Sequence, residues 1–210
     1  MEFQYLNFPS SESLPKLSND RKVTLKTKAK TDVWRKPPAV DDFNAPFMYK
    51  SLPVSHFKSA RVSASGAWKT LYDQGGLMVV LPHTKSRPTE QKRWVKTGIE
   101  FYHGRPMMSV VAADLWADWS LLPLSPEGER EGKMTVVVER EQEERSWNSV
   151  LRVSLVGPSG TIPIREVTWA FHDLDESQEM WVGMAVAKPT KGEDEELAVD
   201  FEGFDIEFRD

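Results

Sequence analysis

The sequence contains no cysteine among its 210 residues. This absence excludes disulfide bonds, thiolate metal sites and cysteine nucleophiles. A cysteine-free chain fits a reducing compartment better than secretion, because disulfides form and persist in oxidising environments. We therefore expect a cytoplasmic protein.

Long apolar runs are also missing. No stretch approaches the roughly 18 apolar residues that a membrane helix needs. The N-terminus, Met1–Tyr5, lacks the basic region and apolar run that mark a signal peptide. The net charge of −5 is mild and does not indicate the basic face that binds a nucleic-acid backbone. We expect neither a membrane nor a nucleic-acid partner.

Motifs for metal or cofactor chemistry are scarce. The histidines, His56, His83, His103 and His172, show neither His-x-His nor His-Glu-x-x-His spacing. The sequence has no glycine-rich phosphate loop and no nucleophile elbow. No cluster of Asp and Asn marks a calcium loop, although scattered loop acids leave a lectin-like calcium site open. No metal and no cofactor are predicted.

The composition that remains is that of a globular protein with a sizeable core. Hydrophobic residues make up 40% of the chain and charged residues 28%. A chain of this length commonly forms one all-β domain. We expect a single domain over residues 21–210, preceded by a loosely ordered N-terminal segment, residues 1–20, that contains Ser10–Ser13.

Apolar and polar residues alternate with a period of two along much of the chain. Val23, Leu25 and Thr27 alternate with lysines, which predicts a strand with one solvated face. Leu77–Leu81 is apolar at every position, as in a central strand covered on both faces. Gly75-Gly76 reads as a turn after Asp73, whose side chain is expected to bind nearby backbone. Many short strands separated by such signals predict a β-sandwich or jelly roll.

Charge is distributed unevenly between the two ends. Lys16–Lys36 is basic, whereas Glu193–Asp210 is acidic. Opposite charges stabilise neighbouring strands, so we expect the Lys22–Lys28 strand beside a C-terminal strand over Asp200–Glu207. A further charged run, Glu139–Arg145, is expected to form an exposed hairpin connection.

Several motifs together resemble those of a known family. They are the Trp34 segment, Tyr72–Leu77, Trp94-x-Lys96-x-Gly98-x-Glu100, Asp118-Trp119-Ser120, Trp181–Pro189 and Val199–Phe204. Over roughly residues 20–208 the chain resembles the family named after a fungal "regulation of enolase" protein. The resemblance implies a concanavalin A-like jelly-roll sandwich of two antiparallel sheets, the all-β lectin/glucanase fold. It brings no established catalytic residues.

The strand Trp94–Tyr102 is the strongest candidate for a binding site. Its odd positions are apolar apart from a threonine and indicate the core face. Its even positions, Trp94, Lys96, Glu100 and Tyr102, mix aromatic rings with charges. Sugars bind such a mixture, since rings cover the apolar sugar face and carboxylates or amides take the hydroxyls. The alternative is a buried ion pair of Glu100 with Lys96 or Arg152 beneath a loop.

Neighbouring segments supply the other candidates. We expect Gln74 from the preceding strand, Asn148 and Arg152 from a strand of the same sheet, and Asp118 and Trp119 from a loop at the rim. The Trp rings of that loop could equally plug one end of the sandwich. Burying Glu100 alone would be costly, so it needs a cationic partner or an aqueous cleft.

These residues favour binding over catalysis. The first hypothesis is an intracellular protein linked to carbohydrate metabolism, with a lectin-like groove for a saccharide or a polar small molecule. The second, suggested by the resemblance, is an interaction module for a glycolytic enzyme such as enolase, which predicts an exposed apolar patch. A glycoside hydrolase is a minor alternative, since only Glu100 stands out and Asp118 would have to supply the second carboxylate.

Overall fold

A computed structural model of the chain describes residues 1–10, 13–88, 91–143, 146–192 and 196–209. Its strands are β1 Gln4–Leu6, β2 Lys22–Lys28, β3 Val33–Lys36, β4 Val40–Phe43, β5 Phe47–Pro53, β6 Phe57–Gly66, β7 Gln74–Leu81, β8 Arg93–Tyr102, β9 Arg105–Ala113, β10 Ala117–Pro123, β11 Lys133–Glu143, β12 Ser146–Gly157, β13 Gly160–Val167, β14 Glu179–Ala187 and β15 Glu196–Phe208. A 3-10 turn, Val54–His56, and one α-helix, α1 Pro126–Glu131, complete the described elements. In this part of the chain no helix has the length and hydropathy needed to cross a bilayer.

Two large sheets form the sandwich. A seven-stranded sheet has the order β1-β5-β14-β7-β8-β9-β10, and a six-stranded sheet has the order β13-β12-β11-β6-β15-β2. The named strands pair antiparallel in both sheets. Strands β3 and β4 form a separate hairpin. The predicted all-β sandwich of two antiparallel sheets is confirmed.

The main core lies between the two sheets. It takes alternate side chains from both, among them Leu25, Phe201 and Val136 from the six-stranded sheet and Val95 and Ile99 from β8. Because side chains alternate along a strand, the other half of each strand faces outward. Strand β7 is buried at every position, as the apolar run predicts.

The two chain termini meet in the six-stranded sheet. Strand β2 pairs with β15 from Lys22 opposite Glu202 to Lys28 opposite Glu196. Ion pairs join Lys22 to Glu202 over 3.0 Å and Lys26 to Glu196 over 2.9 Å. The predicted pairing of the basic and acidic strands is confirmed, but the partner segment is Glu196–Glu202 rather than Asp200–Glu207. On its other side β15 pairs with β6, from Val199 to Phe208.

Gly75 and Gly76 belong to a strand, so the predicted turn is wrong. Both lie in β7, where Gly76 is opposite Gly98 of β8. A Cβ on Gly76 would lie 2.1 Å from the carbonyl oxygen of Thr97, and one on Gly98 would lie 2.2 Å from that of Gly75. These glycines allow two backbones to approach closely within a sheet, which is a different use of glycine from a turn.

Asp73 has the structural role that the sequence indicates. Its carboxylate accepts a hydrogen bond of 2.9 Å from the backbone N–H of Thr70 and pairs with Lys188 over 3.0 Å. Both side chains of the ion pair are at least 98% buried. The pair ties the start of β7 to the end of β14.

Two further segments differ from the sequence-based expectations. Gln4–Leu6 of the N-terminal segment forms β1 and pairs with β5. Most of the charged run from Glu139 belongs to β11, so the connection to Ser146 is shorter than expected. Four parts of the predicted segments lie outside the described residues: Ser11 with Glu12, Glu144 with Arg145, residues 193–195, and Asp210.

Candidate functional site

The outward face of the seven-stranded sheet carries the candidate site. The even positions of β8 face outward, opposite the core residues Val95 and Ile99, as predicted. The strand register places Gln74 opposite Glu100, and places Lys96 opposite Val111. Val111 in turn is opposite Trp119 of β10. Four neighbouring strands, β7 to β10, therefore bring these side chains onto one patch.

The β3–β4 hairpin covers part of this face. Val33 and Trp34 pack with Phe47, Met78 and Trp94 in a second apolar cluster, separate from the main core. This cluster explains why Trp94 is fully buried although it points away from the sandwich interior.

The buried guanidinium of Arg35 fastens the hairpin. Its Nε donates a 2.7 Å hydrogen bond to Asp41, and its Nη1 donates one of 3.2 Å to the carbonyl of Asp114. Arg35 therefore links β3 both to β4 and to the connection that precedes β10.

A cavity of about 350 Å³ lies between the hairpin and the sheet. Its lining combines three aromatic rings with two acids, two lysines and an amide. The lining residues are Asp32, Trp34, Lys36, Tyr72, Gln74, Lys96, Glu100, Val111, Trp119, Pro189 and Thr190. Its volume is at the lower end of the roughly 300–1,000 Å³ of small-molecule sites. This cavity is the aqueous cleft that Glu100 needs, since it is buried without a direct cationic partner in the described part of the chain, and Lys96 lines it as well.

Glu100 is a buried residue, and one of its two carboxylate oxygens already accepts hydrogen bonds. Its Oε2 accepts hydrogen bonds from Ser109 Oγ over 2.7 Å and from Trp119 Nε1 over 3.1 Å. Oε1 has no hydrogen-bond partner among the described residues. Burial raises the pKa of Glu100, and the charge of Lys96 together with the two hydrogen bonds opposes that rise. An acceptor is thus available in the wall of the cavity.

Lys96 is engaged by other groups. Its Nζ donates a 2.6 Å hydrogen bond to Gln74 Oε1 and lies 3.4 Å from Asp32 Oδ1. The same ammonium lies 5.7 Å from the centre of the Trp94 ring. A direct ion pair between Lys96 and Glu100, which the alternative interpretation required, is absent from the described contacts. The two residues interact only through their charges.

Trp119 is the centre of an aromatic group. Its ring meets those of Trp34, Tyr72 and Tyr102 edge-on, with centroid distances of 6.3, 6.3 and 5.3 Å. Tyr72 and Tyr102 stack on each other at 5.8 Å. Three of these rings line the cavity, whereas Tyr102, which the sequence predicts in the lining, contacts Tyr72 and Trp119 without being part of it. Such rigid rings present flat apolar surface at little entropic cost.

A smaller chamber of about 30 Å³ adjoins the cavity. Gln74, Lys96 and Glu100 line both spaces. Its other walls combine the glycines Gly76 and Gly98 with larger apolar residues such as Leu77 and Ile99. The remaining lining residues include Val33, Ala45, Ser109, Ala185 and Ala187.

Asn148 and Arg152 do not belong to this site, so their predicted position is wrong. They lie on β12 of the six-stranded sheet, where Arg152 pairs with Glu141 and Glu166. Asn148 also donates to Glu141. The alternation of β12 was interpreted correctly as two faces, but alternation does not specify the sheet to which a strand belongs.

Asp118 is also misplaced in the sequence-based interpretation. It is a strand residue of β10 rather than a loop residue, and its neighbour Trp119 alone faces the cavity. The Asp118 side chain is 82% exposed and lies 3.7 Å from Arg165. Successive residues of a strand point to opposite faces, so only one of the two could reach the site. The minor alternative, in which Asp118 supplies a second catalytic carboxylate beside Glu100, therefore has no support from the cavity lining.

The sequence analysis missed the contribution of the hairpin and of two distant connections. Asp32, Trp34 and Lys36 come from the β3 region, Tyr72 precedes β7, and Pro189 and Thr190 follow β14. Trp34 and Tyr72 were noted only as family motifs. The signal available in the sequence was that both belong to the same set of motifs as Trp94 and Trp119.

The described residues contain no group of three His, Asp or Glu arranged to hold a metal ion. The side chains present can instead stack on an apolar ring, donate from Lys36, and accept at Glu100. This is the chemistry of non-covalent recognition of a small polar molecule.

Comparison with known proteins identifies relatives along almost the whole chain. The model of a protein family described as "Protein of unknown function (DUF1349)" matches residues 6–209. An uncharacterized protein of Emericella nidulans is 42% identical over 202 residues, which cover 96% of this chain and 92% of that protein. "Regulation of enolase protein 1" of Saccharomyces cerevisiae is 33% identical over 107 residues, which cover 47% of this chain and 46% of that protein.

Solved structures agree with the fold. A functionally unknown protein from Saccharomyces cerevisiae superposes with a TM-score of 0.74 at 26% identity, covering 99% of this chain and 96% of that one. The catalytic domain of a laminarinase, an endo-1,3-β-glucanase, from Thermotoga petrophila has a TM-score of 0.53 at 10% identity, covering 98% and 90%. The second likeness concerns the jelly-roll architecture alone.

Proposed function

Because this chain belongs to the DUF1349 family of proteins of unknown function, we propose its role from the cavity itself. We infer that it is a non-catalytic binding protein whose cavity takes a saccharide or another small polar molecule. The proposal includes a cytoplasmic location and a link to carbohydrate metabolism. Imaging of a fluorescently tagged protein in a fungal cell would check the location.

One observation carries the proposal: the cavity wall joins flat aromatic rings to the carboxylate of a buried residue, one oxygen of which accepts no hydrogen bond from the described residues. Trp34, Tyr72 and Trp119 offer ring faces and edges, and Glu100 offers Oε1. Sugar rings present C–H groups on their faces and hydroxyls at their edges, which match these two kinds of group. The fold shared with a glucanase and the relative named for enolase regulation support a carbohydrate connection without identifying a ligand.

Calorimetric titration with a panel of neutral mono- and oligosaccharides tests the proposal. We expect at least one to bind with a stoichiometry of one, and Trp34→Ala to weaken that binding about tenfold, since removing a stacking ring costs roughly 1 kcal/mol or more. Trp147→Ala is the matched control, because Trp147 lies on the six-stranded sheet against Arg209. Binding that Trp147→Ala reduces and Trp34→Ala leaves unchanged would contradict the proposal.

A protein partner is the second candidate. The similarity to Regulation of enolase protein 1 favours it, and Leu115 and Trp116 are exposed beside each other at 54% and 36%. Sedimentation of the purified protein with enolase is the test. Co-migration that is lost in a Leu115→Ser, Trp116→Ser double variant and kept in Trp34→Ala would favour this second function.

Glycoside hydrolysis stays the minor alternative. It would rest on Glu100 and, with Asp118 outside the cavity, on Asp32 as the second carboxylate of the lining. The Asp32 carboxylate already has partners, since it accepts a 2.7 Å hydrogen bond from the backbone N–H of Val33 and forms an ion pair with Lys96 over 3.4 Å. Sustained release of sugar by the purified protein, abolished in Glu100→Gln, would establish hydrolysis in place of binding.

A further inference from the structure

The small chamber beneath the main cavity has the size of a single substituent. Its volume is about 30 Å³. A cavity needs roughly 10–15 Å³, measured in the same way, to hold one water molecule. The chamber therefore holds about two groups of the size of water. A methylene and a hydroxyl satisfy this limit, whereas an acetamido or a phosphate group, each with at least four non-hydrogen atoms, does not.

The chamber walls divide into an apolar and a polar part. Ala45, Ala185 and Ala187 supply small apolar surface, and the closely packed backbones of Gly76 and Gly98 form part of the wall. The polar part contains Glu100, which is only 5% exposed. Apolar surface suits a methylene group, and a carboxylate oxygen accepts from a hydroxyl.

Lys96 and Ser109 already have partners, whereas the hydroxyl of Thr97, an odd-numbered position on the core face of β8, is buried without one among the described residues. Lys96 donates to Gln74 Oε1, and the Ser109 hydroxyl donates to Glu100 Oε2. Glu100 Oε1 is the acceptor that these contacts leave for a ligand. A carboxylate attracts a proton donor and repels an anion, so a neutral substituent with a hydroxyl fits better than a phosphate.

We propose that the chamber receives the hydroxymethyl group of a neutral hexose whose ring lies in the main cavity, with Glu100 Oε1 accepting the hydrogen bond of its hydroxyl. This inference rests on the proposed saccharide-binding function and narrows it. The chamber is then a specificity pocket that selects hexoses over pentoses, sugar phosphates and ligands that carry a larger group at this carbon.

Pairs of methyl glycosides that differ only in the hydroxymethyl group give the direct test. Methyl β-D-glucoside is compared with methyl β-D-xyloside, and methyl β-D-galactoside with methyl α-L-arabinopyranoside, by nuclear magnetic resonance titration. We expect the hexoside of at least one pair to bind ten times more tightly or better, since filling a pocket of this kind discriminates by about 10–200-fold. Glucose 6-phosphate is expected to bind more weakly than the glucoside.

Ala185→Val fills the chamber from its wall and is the informative variant. It should lower the affinity for the hexoside about tenfold and leave the affinity for the pentoside within about twofold. Ala198→Val is the matched control, because Ala198 is exposed on β15 of the other sheet. Glu100→Gln should weaken hexoside binding more than pentoside binding.

The outcomes separate the two levels of the proposal. Equal binding of hexoside and pentoside in both pairs overturns the specificity pocket and leaves the saccharide cavity in place. Absence of binding by every glycoside and oligosaccharide overturns the proposed function and the pocket with it. If Ala185→Val does not fold, the comparison of hexoside and pentoside binding by the unaltered protein still decides whether the chamber is a specificity pocket.

Discussion

The indole N–H of Trp119 donates a 3.1 Å hydrogen bond to the Glu100 carboxylate from two strands away in the same sheet. The hydroxyl of Ser109, on the strand between them, donates to the same oxygen. This arrangement orients a buried charge with groups that are themselves fixed by the sheet. It leaves the second oxygen of the carboxylate for another donor.

Glu100 should make stability depend on pH in a defined direction. Burial raises its pKa above the ordinary value of 4.5, so the folded protein holds this proton more tightly than the unfolded chain. Its contribution to stability is fully present below the unfolded pKa and is lost as pH rises through the folded pKa. The free energy of unfolding of Glu100→Gln, relative to the original protein, should therefore increase as pH rises through this window.

Urea unfolding at a series of pH values from about 4 to 8 measures this difference. Glu139→Gln, the same change at an exposed position of β11, is the control. A difference for Glu100→Gln that falls as pH rises would show that the carboxylate is stabilised in its ionised form instead.

The Asp73–Lys188 pair should be far more important for stability than any exposed pair. Both side chains are buried, so Asp73→Ala leaves an ammonium without its counter-charge in the interior. Breaking such a pair costs about 3–5 kcal/mol. Glu207→Ala breaks the exposed pair with Lys58 and should cost about 0–1 kcal/mol. Urea unfolding of the two variants checks the contrast, and equal losses would contradict it.

Gly98→Ala should strongly destabilise the fold. The added Cβ would lie 2.2 Å from the carbonyl oxygen of Gly75 and 2.6 Å from the Cα of Gly76, and backbone atoms in mid-sheet cannot move aside. We expect a loss of about 3 kcal/mol or more. At Gly157 the nearest atom would be 3.5 Å away, so Gly157→Ala should change stability by less than about 1 kcal/mol. Thermal unfolding compares the two, and a tolerated Gly98→Ala would refute the close approach.

Arg35 should control the local stability of the hairpin over the cavity. Its buried guanidinium bonds Asp41 and the carbonyl of Asp114, and Arg35→Met removes both contacts. Losing a charge-assisted hydrogen bond of about 1.5–3 kcal/mol should speed amide exchange in β3 and β4 about tenfold or more. Hydrogen exchange followed by mass spectrometry measures this.

The strands of the central sheet provide the internal reference for that experiment. Amides of β7 and β8 should keep their exchange rates in Arg35→Met, because their ladders do not involve Arg35. The exposed cation Arg21, changed to Met, is the control for loss of an arginine. A rise in exchange that includes β7 and β8 would mean that Arg35 supports the whole domain.

The sequence predicted the faces of strands well. The alternation in Lys22–Lys28 and in Trp94–Tyr102 identifies which side chains are buried in the core, because side-chain direction depends only on position along the strand. The opposite charges of the terminal strands also predicted their pairing, since electrostatic complementarity is visible without coordinates.

The partners of each strand were harder to predict. Nothing in the alternation of β12 distinguishes one sheet of the sandwich from the other, which placed Arg152 on the wrong sheet. Gly75-Gly76 predicts a turn because glycine's preference for turns is a local property of the sequence. In the structure Gly76 instead lies opposite Gly98, which is more than twenty residues away in the chain. The presence of Asp32 and Trp34 in the cavity lining also depends on long-range contacts, between the β3 region and the seven-stranded sheet.

Strand β2 has a consequence for how copies of this protein behave in concentrated solution. It is the last strand of the six-stranded sheet, and one side of its backbone has no neighbouring strand among the described elements. The unpaired backbone N–H and C=O groups of such an edge can form hydrogen bonds with a strand of another chain. The exposed side chains of Lys22, Lys26 and Lys28 place a row of like charges along it. Two copies that approach edge to edge would bring these lysines together, so we expect the charges that pair with β15 also to disfavour association through this edge.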